Sequence, residues 1–202
     1  MRKAWKLFLL AAVVWIGIYI WDLCGQKDLL RESLIRLHVV ANSDSAEDQA
    51  VKLQVRDAIT EYLTPLLENI PTRDEAQAFL QAHIQDLQQI ANDALRLAGS
   101  MDEAVVTLGL EEFPKRVYDT FALPAGIYES LRIRIGEAQG KNWWCVVFPQ
   151  FCLPATAEGF DAVAVGSGLP ENLAEALQGE NEVRFFFLDC LGKLENFFGL
   201  GK

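Results

Sequence analysis

The sequence predicts an α+β fold: a helical hairpin packed on an antiparallel sheet, preceded by an N-terminal signal peptide or signal anchor. Three observations carry this. Residues 45–98 hold apolar residues at helical spacing, residues 104–148 hold them in alternation, and Leu7 to Trp21 is an uncharged run behind three cations. The chain of 202 residues is 51% hydrophobic and 23% charged, so a core is readily filled and disorder is not expected. A formal net charge of −10 argues against nucleic-acid binding and against a polybasic membrane surface. The expected organisation is a signal peptide or membrane anchor over 1–25, a tether over 26–33 and an extracytoplasmic domain over 34–198.

Arg2, Lys3 and Lys6 precede the apolar run, the layout of a signal peptide or short anchor. As a helix, Leu7 to Trp21 would span ~22 Å, short of the ~30 Å bilayer core. Trp5, Tyr19 and Trp21 at its ends suit interfacial belts. Small residues are poorly supplied before any cleavage point, so both a cut and a retained anchor stay open. The positive charges place the N-terminus in the cytoplasm and the remainder outside, where disulfides persist.

Ile35, Leu37 and Val39 alternate with Arg36 and His38, as in a strand with one face buried. Asn42-Ser43-Asp44-Ser45 is a turn, and Ser45 with Asp48 opens a helix carrying Val51, Val55, Ile59 and Leu63. Pro65 should kink or stop it. Thr72 and Glu75 form a second capping box, and Gly99 is placed to end the second helix in a left-handed cap. His83 lies on that helix's apolar stripe and reads as a packed or rim residue. From Ala104 the period changes to two. Strands are expected near 104–110, Val117–Ala122, Tyr128–Gly136 and Lys141–Phe148, joined as a meander. Residues 155–168 read as loop, Pro170–Gln178 as a short helix, Glu182–Leu188 as a last strand and Leu191–Phe198 as an amphipathic tail.

Two stretches carry a resemblance. Arg36-Leu37-His38-Val39-Val40-Ala41-Asn42-Ser43-Asp44-Ser45, with Asp48-Gln49 and Val55-Arg56-Asp57, resembles a hallmark of the stage II sporulation protein R family. Leu123 to Arg132, Gly136 and Asn142-Trp143-Trp144-Cys145 through Cys152 are similar to its second hallmark. The resemblance covers roughly Leu34 to Leu153 and implies signalling rather than catalysis. Such proteins are exported from the forespore into the space between two membranes. There they trigger a membrane-embedded aspartic protease of the mother cell, which removes the pro-sequence of a sigma factor. The implied partners are that protease and, through the N-terminal segment, a membrane; no cofactor, metal, nucleic acid or small-molecule substrate is implied. After Cys152 the match is poorer.

The candidate partner-binding residues are Asn142, Trp143, Trp144, His38, Asn42 and Asp44. Consecutive tryptophans in a strand must point to opposite faces, so one enters the core and the other faces outward unless covered. Cys145 and Cys152 either pair through a turn that Pro149 assists, adding ~2–3 kcal/mol, or stay as two thiols of a buried aromatic strand. Cys24 and Cys190 are a distant second pair or free.

The competing class is a secreted or anchored cell-envelope hydrolase. His38 with Cys145, oriented by Asn42, would be a nucleophilic pair. Glu111, Glu112, Asp119 and Glu129 offer carboxylates for a glycosidase pair. His38, Asn42, Asp44 and Asp48 could be drawn as a metal site, but they lack calcium-loop spacing. The acidic composition points to a basic partner.

Overall fold

The structure, a computed structural model, describes residues 2–118 and 121–149. Helix α1 (Arg2–Ser33) leads into strand β1 (Ile35–Val40), followed by α2 (Ala46–Leu67), α3 (Arg73–Ala82) and α4 (Ile84–Leu97). Then come β2 (Ala104–Phe113), β3 (Arg116–Val117), β4 (Ala122–Leu123), β5 (Gly126–Ile135) and β6 (Asn142–Phe148). The expected elements beyond residue 149, and with them Cys152 and Cys190, lie outside the described residues.

The caps sit where the sequence places them. Ser45 Oγ accepts from the Asp48 N–H at 3.0 Å, and Thr72 Oγ accepts from Glu75 N–H while donating to its carboxylate. Gly99, at φ 77, ends α4, and Ser100 N–H reaches back to the Leu95 carbonyl. Pro65 stands in the last turn of α2, two residues before its end.

One expectation about the helices needs correction. Residues 71–98 form two helices, because His83 leaves helical geometry and turns its Nδ1 onto the Phe79 carbonyl at 2.8 Å. The segment 26–33 expected as a tether is helical, as the end of α1; Leu30 within it and Leu34 just after it are buried. Among the described residues no helix is long and apolar enough to cross a membrane.

The sheet order is β2-β5-β1-β6, with β1 parallel to β5 and antiparallel to β6. The expected meander is therefore interrupted: β1 sits between two strands that follow one another in sequence. All six of its residues are buried, which suits a central strand covered on both faces. The sheet stays mostly antiparallel, and the class is mixed α and β. The expected single strand at Val117–Ala122 is not formed: Val117 belongs to β3 and Ala122 to β4, and the two short strands pair antiparallel.

One sheet face takes Ile35, Leu37, Val39, Leu131, Ile133, Val106 and Cys145 into a core shared with Ile59, Leu80, Leu87 and Leu95 of the helices. The opposite face holds a second cluster of Leu30, Leu34, Phe113, Phe121, Leu123, Tyr128 and Val146, under the end of α1 and the β3–β4 hairpin.

Two turns are tied together at one end of the sheet. Asn42 Oδ1 accepts from Glu137 N–H at 2.9 Å, and Asp44 Oδ1 accepts from Lys141 N–H at 2.7 Å. Gly140 N–H donates to the Ala41 carbonyl, and Lys52, almost wholly buried, donates to the Lys141 carbonyl at 3.0 Å. Gly136 has φ 55 and lies so close to Asn42 that a Cβ would fall 2.4 Å from Oδ1. The first resembling stretch and the turn between β5 and β6 are thus one hydrogen-bonded unit.

Candidate functional site

The site forms on the second sheet face, where period-two alternation turns Arg36 and His38 away from the helices. Register puts Arg132, His38 and Trp144 side by side, with Arg134, Val40 and Asn142 in the next row. The His38 ring stacks on Trp144 at 3.7 Å between centroids. Its Nδ1 lies 2.9 Å from Glu111 Oε1 and its Nε2 lies 2.9 Å from Asn142 Oδ1. Arg132 Nε is 3.2 Å from the same Glu111 oxygen. His38 is 3% exposed, whereas Asn142 is exposed and Trp144 half-buried, so the imidazole is held beneath a polar-aromatic rim.

Arg36 lies one row further in and is fully buried. Its guanidinium sits 4.0 Å from the Phe113 ring centroid and donates to Tyr118 Oη at 2.9 Å. No carboxylate among the described residues pairs with it, and its Nε and Nη1 are buried without a hydrogen-bond partner. Burial pulls its pKa down, partly offset by Tyr118 and Tyr128. An arginine remains cationic there.

Of the sequence-derived candidates, His38, Asn142 and Trp144 come together. Trp143 faces the other way, toward the helices, where the Arg56 guanidinium lies 4.3 Å from its ring centroid. Both tryptophans are half-buried. Asn42 and Asp44 belong to the turn lock and do not touch His38. Cys145 is a buried free thiol on the helix side; its candidate partner Cys152 lies outside the described residues.

Among the described residues the hydrolase geometries drawn from the sequence do not form. Cys145 stands opposite Leu37, so it and His38 occupy opposite sheet faces, and Asn42 does not orient the imidazole. Glu111 faces His38, whereas Glu129 faces the helices beside Arg73 at 3.7 Å. Asp119 lies outside the described residues. No group of three metal-ligating side chains forms among the described residues.

Sequence reading missed Glu111, Arg132 and Arg36 as parts of this site. Their signal was available in part: Arg36, Arg132 and Arg134 occupy the non-apolar phase of two alternating strands. Glu111 could be told from Glu112 only through the register.

Burial alone would raise the Glu111 carboxyl. The hydrogen bond and charge of His38, helped by Ser130 and Arg132, outweigh it and hold the carboxyl below its usual range. The Ser43 hydrogen bond, aided by Asn42 and Ser45 against burial, does the same for Asp48. A carboxyl depressed in the fold stabilises above its ordinary range and loses that contribution as pH falls through the lowered value. Urea midpoints measured from pH 6 down to 2 should therefore fall on acidification. Asp48→Asn and Glu111→Gln should each flatten that slope; an unchanged slope in both would refute the assignment.

A family model described as stage II sporulation protein R matches residues 31–158. The chain is 33% identical over 128 residues to the stage II sporulation protein R of Bacillus subtilis strain 168, covering 63% of this chain and 57% of that relative. The chain thus matches somewhat over half of the relative's length. No solved structure matches it. The matched segment contains β1, the turn lock and the whole His38–Glu111–Asn142 site, and by that match the chain belongs to the stage II sporulation protein R family.

Proposed function

We propose that this protein is an exported sporulation signal. It binds a membrane-embedded aspartic protease of the mother cell and activates it, so that the mother-cell sigma factor precursor is processed. It acts in the space between the forespore and mother-cell membranes, secreted or held by α1. The carrying observation is that His38, Asn142 and Trp144, from two stretches far apart in sequence, meet at a braced, partly exposed rim. A half-buried tryptophan flanked by hydrogen-bonding groups is the composition of an interface anchor. Along α1, Trp5, Phe8, Trp15 and Trp21 are exposed, which suits a helix meant for an apolar surrounding. Activation is a population shift: the signal must bind the active arrangement of the protease more tightly than the inactive one.

The hydrolase reading keeps one observation, an imidazole oriented by a carboxylate. Among the described residues, however, no hydroxyl or thiol is hydrogen-bonded to His38. The test is reconstitution. Protein is added outside vesicles that hold the sporulation protease and its pro-sigma substrate, and cleavage is followed on a gel. Dose-dependent cleavage that Trp144→Ala abolishes, with the fold intact, supports the signal. Release of product from purified cell wall without the protease would sink it.

A further inference from the structure

The second sheet face runs against the charge of the whole molecule. The chain is net −10, yet this face presents Arg116, Arg132 and Arg134 around His38 and Trp144, with Arg36 buried in the row beneath. Glu111 is the one carboxylate on this face that meets these groups among the described residues, and it is taken by both His38 and Arg132. Arg132 Nε is buried 3.2 Å from the Glu111 carboxylate without a hydrogen bond, and its side chain is 41% exposed, which leaves the outer edge of its guanidinium toward solvent. Arg134 is exposed two positions further along the same strand face, ~7 Å away, and no described carboxylate pairs with it. Arg116 lies over the Trp144 ring at 5.3 Å with its Nε unpartnered. Water does not screen the buried Arg36 charge, so it adds to the positive potential of the face.

We infer that this face is a docking surface for an acidic peptide segment of a partner protein, with Arg132 and Arg134 taking its carboxylates and Trp144 packing against its apolar portion. Guanidinium groups fixed on a strand suit planar, two-point recognition of carboxylates. A lipid surface would be met better by flexible protruding lysines, and the described strands that form this face carry none. The composition alone had pointed to a basic partner; locally the complement is acidic. The inference rests on the binding role proposed above and names the chemistry of the same face.

The test uses the full chain in detergent micelles and a fluorescent octaglutamate peptide, read by anisotropy. A molecule of net charge −10 repels such a peptide overall, so binding reports a local site. The expected result is salt-sensitive binding that Arg132→Gln/Arg134→Gln weakens by about tenfold or more. Arg96→Gln, on α4, should leave it unchanged. Because Arg132 also braces Glu111, Arg134→Gln alone is the second variant; it touches no described partner and should weaken binding with an unaltered melting curve. Binding equal in wild type and both variants overturns the inference, as does absence of binding. Capture of phosphatidylglycerol vesicles through these arginines without peptide binding overturns it in favour of a lipid surface. The protease is absent from this assay, so a failed reconstitution does not bear on it. Working reconstitution without peptide binding sinks the acidic-partner inference alone.

Discussion

Gly140→Ala should cost about 3 kcal/mol and lower the melting temperature by roughly 10 °C, the scale set by backbone clashes in domains of this size. A Cβ at this position would stand 2.2 Å from the Ser43 carbonyl oxygen and 2.5 Å from its carbon. Both are backbone atoms of the turn leading into α2, so no side-chain rotation relieves the overlap. Relief requires the two turns to separate. That breaks the Gly140–Ala41 bond and strains the contacts of Asp44 with Lys141 N–H and of Lys52 with the Lys141 carbonyl. The register between β1 and β6 begins beside this turn, so the loosening should reach Asn142 and weaken the His38 site as well. Gly109→Ala is the control: nothing lies within 4 Å of its added Cβ, and the change should be neutral or stabilising by up to about 1 kcal/mol. Denaturant midpoints decide it. If Gly140→Ala loses no more than Gly109→Ala does, the turn lock is not what holds the two stretches together.

Replacing His38 by alanine should cost about 2–4 kcal/mol, the range for breaking a buried charge-assisted pair. The change removes the stack on Trp144 and leaves the Glu111 carboxylate, 15% exposed, with Arg132 as its remaining ion-pair partner. The groups that offset burial at Glu111 are led by His38, so its carboxyl should rise in the variant. The acid limb of stability should then move to higher pH, because a carboxyl that protonates more readily in the fold loses its stabilising charge earlier. A second substitution, Glu111→Gln, removes the stranded charge and should recover part of the loss. A double-mutant cycle measures this: a coupling near 1–2 kcal/mol is expected for groups in direct contact. Additive losses would mean that the 2.9 Å contact contributes nothing of its own.

Local chemistry was enough for much of the fold. The hydroxyls of Ser45 and Thr72 and the missing Cβ of Gly99 act within four or five residues, so the helix ends were legible. Period-two alternation marked β2, β5 and β6 and required Trp143 and Trp144 to part to opposite faces, as they do. The family hallmarks were legible as strings, and much of the first proves to be architecture. Asn42, Ser43, Asp44 and Asp48 bind backbone and one another rather than the rim around His38.

Strand order was not legible, because every strand shares the same alternation and any order satisfies it locally. Burial of β1 on both faces suits the central place, and lying between β5 and β6, which run in opposite directions, it must be parallel to one of them, here β5. His83 fits the apolar stripe of one long helix, yet in the fold it breaks the run by bonding the Phe79 carbonyl. Glu111 and Glu112 are neighbours of equal charge, and only the β2–β5 register sends the first toward His38. The site depends on which strands lie side by side, a choice made by competition among distant contacts. The residue types that compose it were visible in the chain, but their meeting was not.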